Sequence, residues 1–174
     1  IENHTPLARW AARGELTPVD DDRYAGEFLA ADAALRANGY EHYEVSNAAR
    51  PGYRARHNSA YWSRSPFIGL GPSAHSGFGT ERRWNVREWA AYERATREGE
   101  TVVAGREQVD PAARRLEEVY LGLRTSSGLA SEHLPAEDRR RWVEAGWATA
   151  TDGRVRLTAE GWLRLDALVA SVSG

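Results

Sequence analysis

"HYEVSNAARPGYRARHNSAYW", His42 to Trp62, is the stretch on which the reading of this sequence turns. It opens as a short strand, "EHYEVSN", with Tyr43 and Val45 on one face and His42, Glu44 and Ser46 on the other. A polar face opposite an apolar one suits a solvent-facing strand or one lining a polar cavity. Pro51 and Gly52 then punctuate a loop carrying Arg50, Arg54 and Arg56. "RHNSAYW" follows, reading as a turn in which Asn58 stabilises the backbone while Tyr61 and Trp62 anchor it in a core.

Upstream, "TPVDDD" (Thr17 to Asp22) supplies proline and acids suited to a helix start. Tyr24, Phe28, Ala31 and Leu35 recur at helical spacing behind it, and Gly39 is placed as a left-handed cap. Downstream, "SPFIGLGPSAHSGFG" (Ser65 to Gly79) reads as a strand running into a tight loop. A helix from about Val86 to Arg97 is expected to bury Trp89, Tyr92 or both. Helix–strand–loop–strand–helix order suggests the tail of an α/β layer, parallel if crossovers connect it.

The texture changes after "EGETVVAGREQ", and we place a domain boundary near residue 105, separating 1–105 from 106–174. Helices are expected from about Asp110 to Thr125, bearing Leu116, Val119, Tyr120 and Leu123, and from about Ala136 to Ala145. "WATAT", Asp152-Gly153 and "RVRLT" form a β-hairpin signature. Thr158 caps a last helix carrying Trp162, Leu165, Val169 and Val172. Two helices, a hairpin and a packing helix resemble a winged-helix module.

Composition bounds the rest. A chain of 174 residues hides about 70% of its unfolded surface on folding, enough for a real core. The 23 basic residues, all arginine, nearly cancel 25 acidic ones, so no overall field points to nucleic acid or membrane. Without cysteine there is no disulfide, thiolate zinc site or thiolate-held iron–sulfur cluster. No apolar run of about 20 residues is long enough to cross a bilayer. With no methionine and an opening "IENHTPLARW", the expectation is a soluble cytoplasmic fragment of a longer protein.

Three stretches carry candidate chemistry. His57 on residue type is first a structural histidine, yet an imidazole also binds metals, holds heme iron or moves protons. Around it lie the rings of Tyr61 and Trp62 and the guanidinium groups of Arg54, Arg56 and Arg64, which suit carboxylates. That composition permits a porphyrin site. In "GLGPSAHS", Gly69 and Gly71 let backbone approach a ligand, with Ser73 and His75 beside them, but a tight strand-end loop explains them as well. No Rossmann fingerprint or GxSxG elbow is present. The histidines at 4, 42, 57, 75 and 133 are too dispersed for a zinc site, and "DDD" at 20–22 reads as a helix start. "EDRRRW" (Glu137 to Trp142) places Arg139, Arg140 and Arg141 where a winged helix meets DNA, but Glu137, Asp138 and Glu144 offset them.

Taken together, "HYEVSNAARPGYRARHNSAYW", "FIGLGPSAHS", "LGLRTSSGL" (Leu121 to Leu129) and "RLTAEGWLRLD" (Arg156 to Asp166) resemble the oxygen-independent coproporphyrinogen III oxidase-like radical SAM family. Within it they are most similar to the HemW-like heme chaperones. The resemblance implies the C-terminal part of a partial (β/α) barrel followed by a helical, winged-helix-like domain. It also implies S-adenosylmethionine and a [4Fe–4S] cluster for the full-length family, held by a CxxxCxxC motif absent here. In this chain it implies heme contact by His57 of the H-N-x-x-Y-W pattern (His57, Asn58, Tyr61, Trp62), propionate contacts by Arg54, Arg56 and Arg64, and a cavity loop at Gly69, Gly71, Ser73 and His75. The implied partners are heme and an apo-hemoprotein acceptor, and the isolated chain is expected to be inert as an enzyme. The alternatives are a coproporphyrinogen oxidase fragment or a nucleic-acid-binding winged helix.

Overall fold

The computed structural model describes residue 3 and residues 5–172, a mixed α/β chain that divides into compact units of residues 1–39 and 40–174. In the first unit, helix α1 (Pro6–Ala12) starts where the Thr5 hydroxyl accepts the Ala8 N–H. Helix α2 (Asp21–Ala37) is capped by Asp20, whose carboxylate accepts from the Arg23 N–H, and the chain leaves it through Gly39 at φ 76°. The acidic run is thus a helix start. Within α2, Asp32 is the buried residue and Tyr24 is exposed.

The second unit opens on a hairpin, β1 (Glu41–Glu44) with β2 (Asn47–Ala49), whose register shifts between His42 and Glu44. His42, Tyr43 and Glu44 are all buried. Of the polar face expected to meet solvent or a cavity, His42 and Glu44 are instead packed on protein, while Ser46 stays exposed. Helix α3 (Arg56–Trp62) occupies the stretch expected to be a turn. Strand β3 (His75–Phe78) follows, so His75 stands in a strand rather than in the loop before it. It pairs with β4 (Glu81–Asn85), which pairs with β5 (Val103–Gln108). Between them, α4 (Trp89–Glu98) leaves Trp89 exposed and Tyr92 half-buried.

Every pairing among the described strands is antiparallel, so the condition set for a parallel layer, crossover connections, is not met among them. Hairpins connect β1 to β2 and β3 to β4, where crossover helices would be required for parallel order. Residue 105 itself lies within β5, opposite Trp84.

Beyond β5, Asp110 accepts from the Ala112 and Ala113 N–H groups and starts α5 (Pro111–Arg124). Then come β6 (Leu129–Ala130), α6 (Ala136–Glu144), β7 (Ala148–Thr151) and β8 (Arg154–Leu157), in a sheet of order β6-β8-β7. Asp152 and Gly153, at φ 53° and 70°, make the turn that matches hairpin twist. Thr158 caps α7 (Ala159–Trp162), and the expected single last helix breaks before α8 (Leu165–Ser171). The buried apolar core gathers Leu123, Trp142, Val155, Trp162, Leu165 and Val169 around this sheet.

Candidate functional site

The site is built on α3, and its position is set by side chains that grip both ends. At the entry, the Ala55 N–H donates to the Tyr43 hydroxyl at 3.2 Å, in place of a side-chain cap. At the exit, Arg64 takes a left-handed φ of 56° and its guanidinium reaches Glu118 at 2.6 Å and Glu117 at 3.4 Å on α5. A bulky residue there is uncommon, and the ion pairs offset the backbone cost. Between these grips, the Tyr61 ring meets Phe67 edge-on at 4.7 Å.

Trp62 is held from behind. Arg124 stacks on its indole at 4.4 Å. Arg124 also lies 3.0 Å from the Glu44 carboxylate, which has no solvent exposure, and donates to the Ser46 hydroxyl at 3.2 Å. Asn47 donates to the other Glu44 oxygen. The strand's polar face thus supports the aromatic wall: a charge too costly to bury alone is paired beneath it.

Sequence-predicted residues separate into distinct places. His57 is exposed, with its ring edge-on to Tyr61 at 4.8 Å. Asn58 is half-buried on the same helix, which it enters instead of closing a turn. Arg54, Arg56, Trp62 and Arg64 line a cleft of about 810 Å³, and Tyr61, Trp62, Arg64 and His75 line a smaller one of about 300 Å³. His57 lines neither. Arg54 is paired with Glu41 at 3.0 Å and stacks on Tyr43.

The glycine loop uses its own polar groups. The Gly69 N–H donates to the Ser76 hydroxyl, the Gly71 N–H to the Tyr92 hydroxyl, and the Ser73 N–H to the Val86 carbonyl. Buried Asn85 donates to the Gly69 and Gly71 carbonyls. A Cβ at Gly69 would collide with the His75 carbonyl oxygen, so close backbone packing already requires glycine there.

Sequence reasoning missed the contribution of the segment from α5 onward to the larger cleft, which Leu121, Thr125, Leu129, His133 and Arg154 also line. Glu44 and Arg124 were missed as a pair as well, since no local pattern joins a strand residue to one far downstream. The three arginines of "EDRRRW" have internal partners: Arg139 donates to the Ser131 carbonyl, Arg141 pairs with Asp138, and Arg140 lies 3.9 Å from Glu144. No group of three or more His, Cys, Asp or Glu side chains among the described residues could hold a metal ion. His4 lies outside the described residues. No described helix is long and apolar enough to cross a membrane.

No family model matches this sequence. Among curated proteins, a heme chaperone HemW of Mycobacterium tuberculosis is 39% identical over 181 aligned residues, covering 100% of this chain and 45% of that protein. The heme chaperone HemW of Synechocystis is 31% identical, covering 83% of this chain and 39% of its own length. The chain therefore spans less than half the length of these relatives. Among solved structures, the coproporphyrinogen III oxidase HemN from Escherichia coli, a radical SAM enzyme, superposes with a TM-score of 0.64 over 98% of this chain and 46% of its own, at 16% identity.

Proposed function

The chain is a HemW-like sequence along its whole length, with a fold shared with a radical SAM enzyme, and from that premise we propose that it carries a heme-handling part of a heme chaperone. In this reading the parent binds heme as cargo and delivers it to an apo-hemoprotein in the cytoplasm. His57 is the axial iron contact through its neutral imidazole, with Tyr61 steadying the ring. The segment before about residue 105 is the end of a partial barrel, and α5 to α8 with their sheet are a winged-helix-like accessory module. The glycine loop at Gly69, Gly71, Ser73 and His75 lies against the cofactor cavity of the parent.

The observation that carries the reading is the contrast between two histidines. His42 is buried, its Nε2 lies 3.1 Å from the Val45 carbonyl, and its ring packs edge-on against Trp162 at 4.8 Å. That is how a structural imidazole is satisfied. His57 is exposed on a helix gripped at both ends, and among the described residues its ring makes no hydrogen bond. An axial ligand needs such a free nitrogen. A thiolate-held [4Fe–4S] cluster has no ligand in this cysteine-free chain, so radical chemistry is not a property of these residues.

The test is a hemin titration of the chain beside His57→Ala and His42→Ala, followed at the Soret band. Wild type is expected to saturate at one hemin per chain with a ligated spectrum that His57→Ala loses. His42→Ala, which tracks stability through circular dichroism, is expected to keep the ligated spectrum if folded. Identical spectra for wild type and His57→Ala would sink the axial-ligand reading.

A further inference from the structure

Strand β5 is an open edge of its sheet. It pairs with β4 on one side and ends the order β3-β4-β5, whereas the outer side of β3 meets Phe67 through an antiparallel bridge at Gly77. The Val109 N–H donates to the Thr80 carbonyl on the β4 side. Backbone direction alternates along a strand, so Gln108 and Arg106 turn their N–H and carbonyl groups outward. Ala104, Arg106, Glu107 and Gln108 are exposed along this edge. An exposed edge with free N–H and carbonyl groups is a template for another strand.

The side chains say what that strand must carry. Arg106 stands directly opposite Arg83, so the two share one face of the sheet. Like charges so placed repel, and most where the opposed residues do not bond each other and their side chains come closest. Arg83 stacks on Phe78 at 5.0 Å, which holds its guanidinium on that face. Among the described residues neither arginine forms an ion pair. Glu81 stands one row along, opposite Gln108, and pairs with neither. Glu107 lies on the other face, 3.9 Å from Arg82.

We propose that β5 takes up an extended segment of a partner protein as a fourth strand, with an aspartate or glutamate of that segment set beside Arg106. Main-chain bonds along the edge supply affinity, and the alternate side chains supply the choice of partner. The carboxylate extends the row Ser76–Arg83–Arg106 and offsets the repulsion within it through charge-assisted hydrogen bonds. A second copy of β5 does not meet this need. In an antiparallel pair, a residue that turns its backbone toward the new strand stands opposite one that does the same. Arg106 would therefore face Arg106 or Gln108 of the copy and not Glu107, whose backbone turns toward β4. The proposal rests on no part of the heme reading.

The probe is a fluorescein-labelled peptide of alternating threonine and valine with one central glutamate, followed by anisotropy beside the same peptide with lysine in that place. Wild type is expected to bind the glutamate peptide saturably and about tenfold or more tighter than the lysine peptide. Arg106→Glu is expected to reverse that preference. Gln108→Pro removes an outward N–H while sparing the β4 ladder, and is expected to abolish binding of both peptides at unchanged circular dichroism. In hydrogen exchange, the Arg106 and Gln108 amides of wild type are expected to slow at saturation, which decides the same point should Gln108→Pro misfold. Absence of saturable binding in wild type would overturn the proposal, as would equal affinity for the two peptides. Binding that Gln108→Pro leaves unchanged would overturn it too, as the mark of a charged patch without strand pairing. Displacement of the glutamate peptide by a duplex DNA at matched charge would do the same, by showing an unselective anion surface.

Discussion

At the scale of single residues, the decisive pair is Glu44 and Arg124. The carboxylate is fully buried and the guanidinium side chain is 16% exposed, so removing one partner strands a charge in a low-dielectric interior. Arg124→Ala is expected to cost about 3–5 kcal/mol, read as a fall in the urea midpoint at unchanged slope. The double variant Glu44→Leu with Arg124→Leu is expected to recover much of that loss, because the stranded charge is then gone. If the double variant is as unstable as the sum of the two singles, the pair is not coupled and its support of Trp62 fails with it. None of this was legible in the sequence. Glu44 could be placed on the polar face of a strand, but its burial depends on Arg124 and on Asn47, and neither dependence leaves a local pattern. His57 and Trp62, by contrast, stood out by type and spacing, though the motif's helix did not. It lacks a side-chain cap and follows proline, glycine and arginines, the features that usually mark a loop.

At the scale of elements, the question is what closes the C-terminal end of α5, which faces the cleft. The last carbonyls of a helix have no partner within it. Here the Arg124 carbonyl accepts from the Val45 N–H at 3.2 Å, and the Leu123 carbonyl from the Trp162 indole at 3.1 Å. A hairpin and a distant helix thus cap α5 where no glycine does. Trp162→Phe is expected to destabilise by about 1–3 kcal/mol by leaving that buried carbonyl without its donor. Trp142 is a control: it is fully buried, and its indole nitrogen has no partner among the described residues. Trp142→Phe strands no acceptor, so the loss is expected to be the smaller of the two in thermal unfolding, and equal losses would show that the Trp162 bond adds nothing beyond volume. Elements with their own punctuation could be read from sequence, such as α5 from Asp110-Pro111 and the β7–β8 hairpin from Asp152-Gly153. Strand direction could not be, because "EHYEVSN" and Ser65 to Gly79 each read as a single strand, which hides the hairpins that make β1–β2 and β3–β4 antiparallel.

At the scale of the whole molecule, the distribution of buried apolar residues decides which part is self-sufficient. Among the described residues, Tyr43, Ala49 and Ala95 are the core residues before 105, while Val119 and eleven others come after it. Stability follows buried apolar area, so the part from Asp110 onward holds most of the folding free energy. Cutting at 105 would split β5, whose residues from Val103 to Gln108 pair with β4, whereas a cut after Val109 spares both β5 and the Asp110 cap. Residues 110–174 alone are expected to unfold cooperatively in urea, at a lower midpoint than the whole chain. The loss has a named source: Glu44, Val45 and Tyr43 no longer meet Arg124, its carbonyl and the Ser126 N–H. Residues 40–109 alone are expected to show no cooperative transition, since two small sheets and the two short helices α3 and α4 bury too little to offset chain entropy. A sharp transition in 40–109, or none in 110–174, would place the organising core elsewhere.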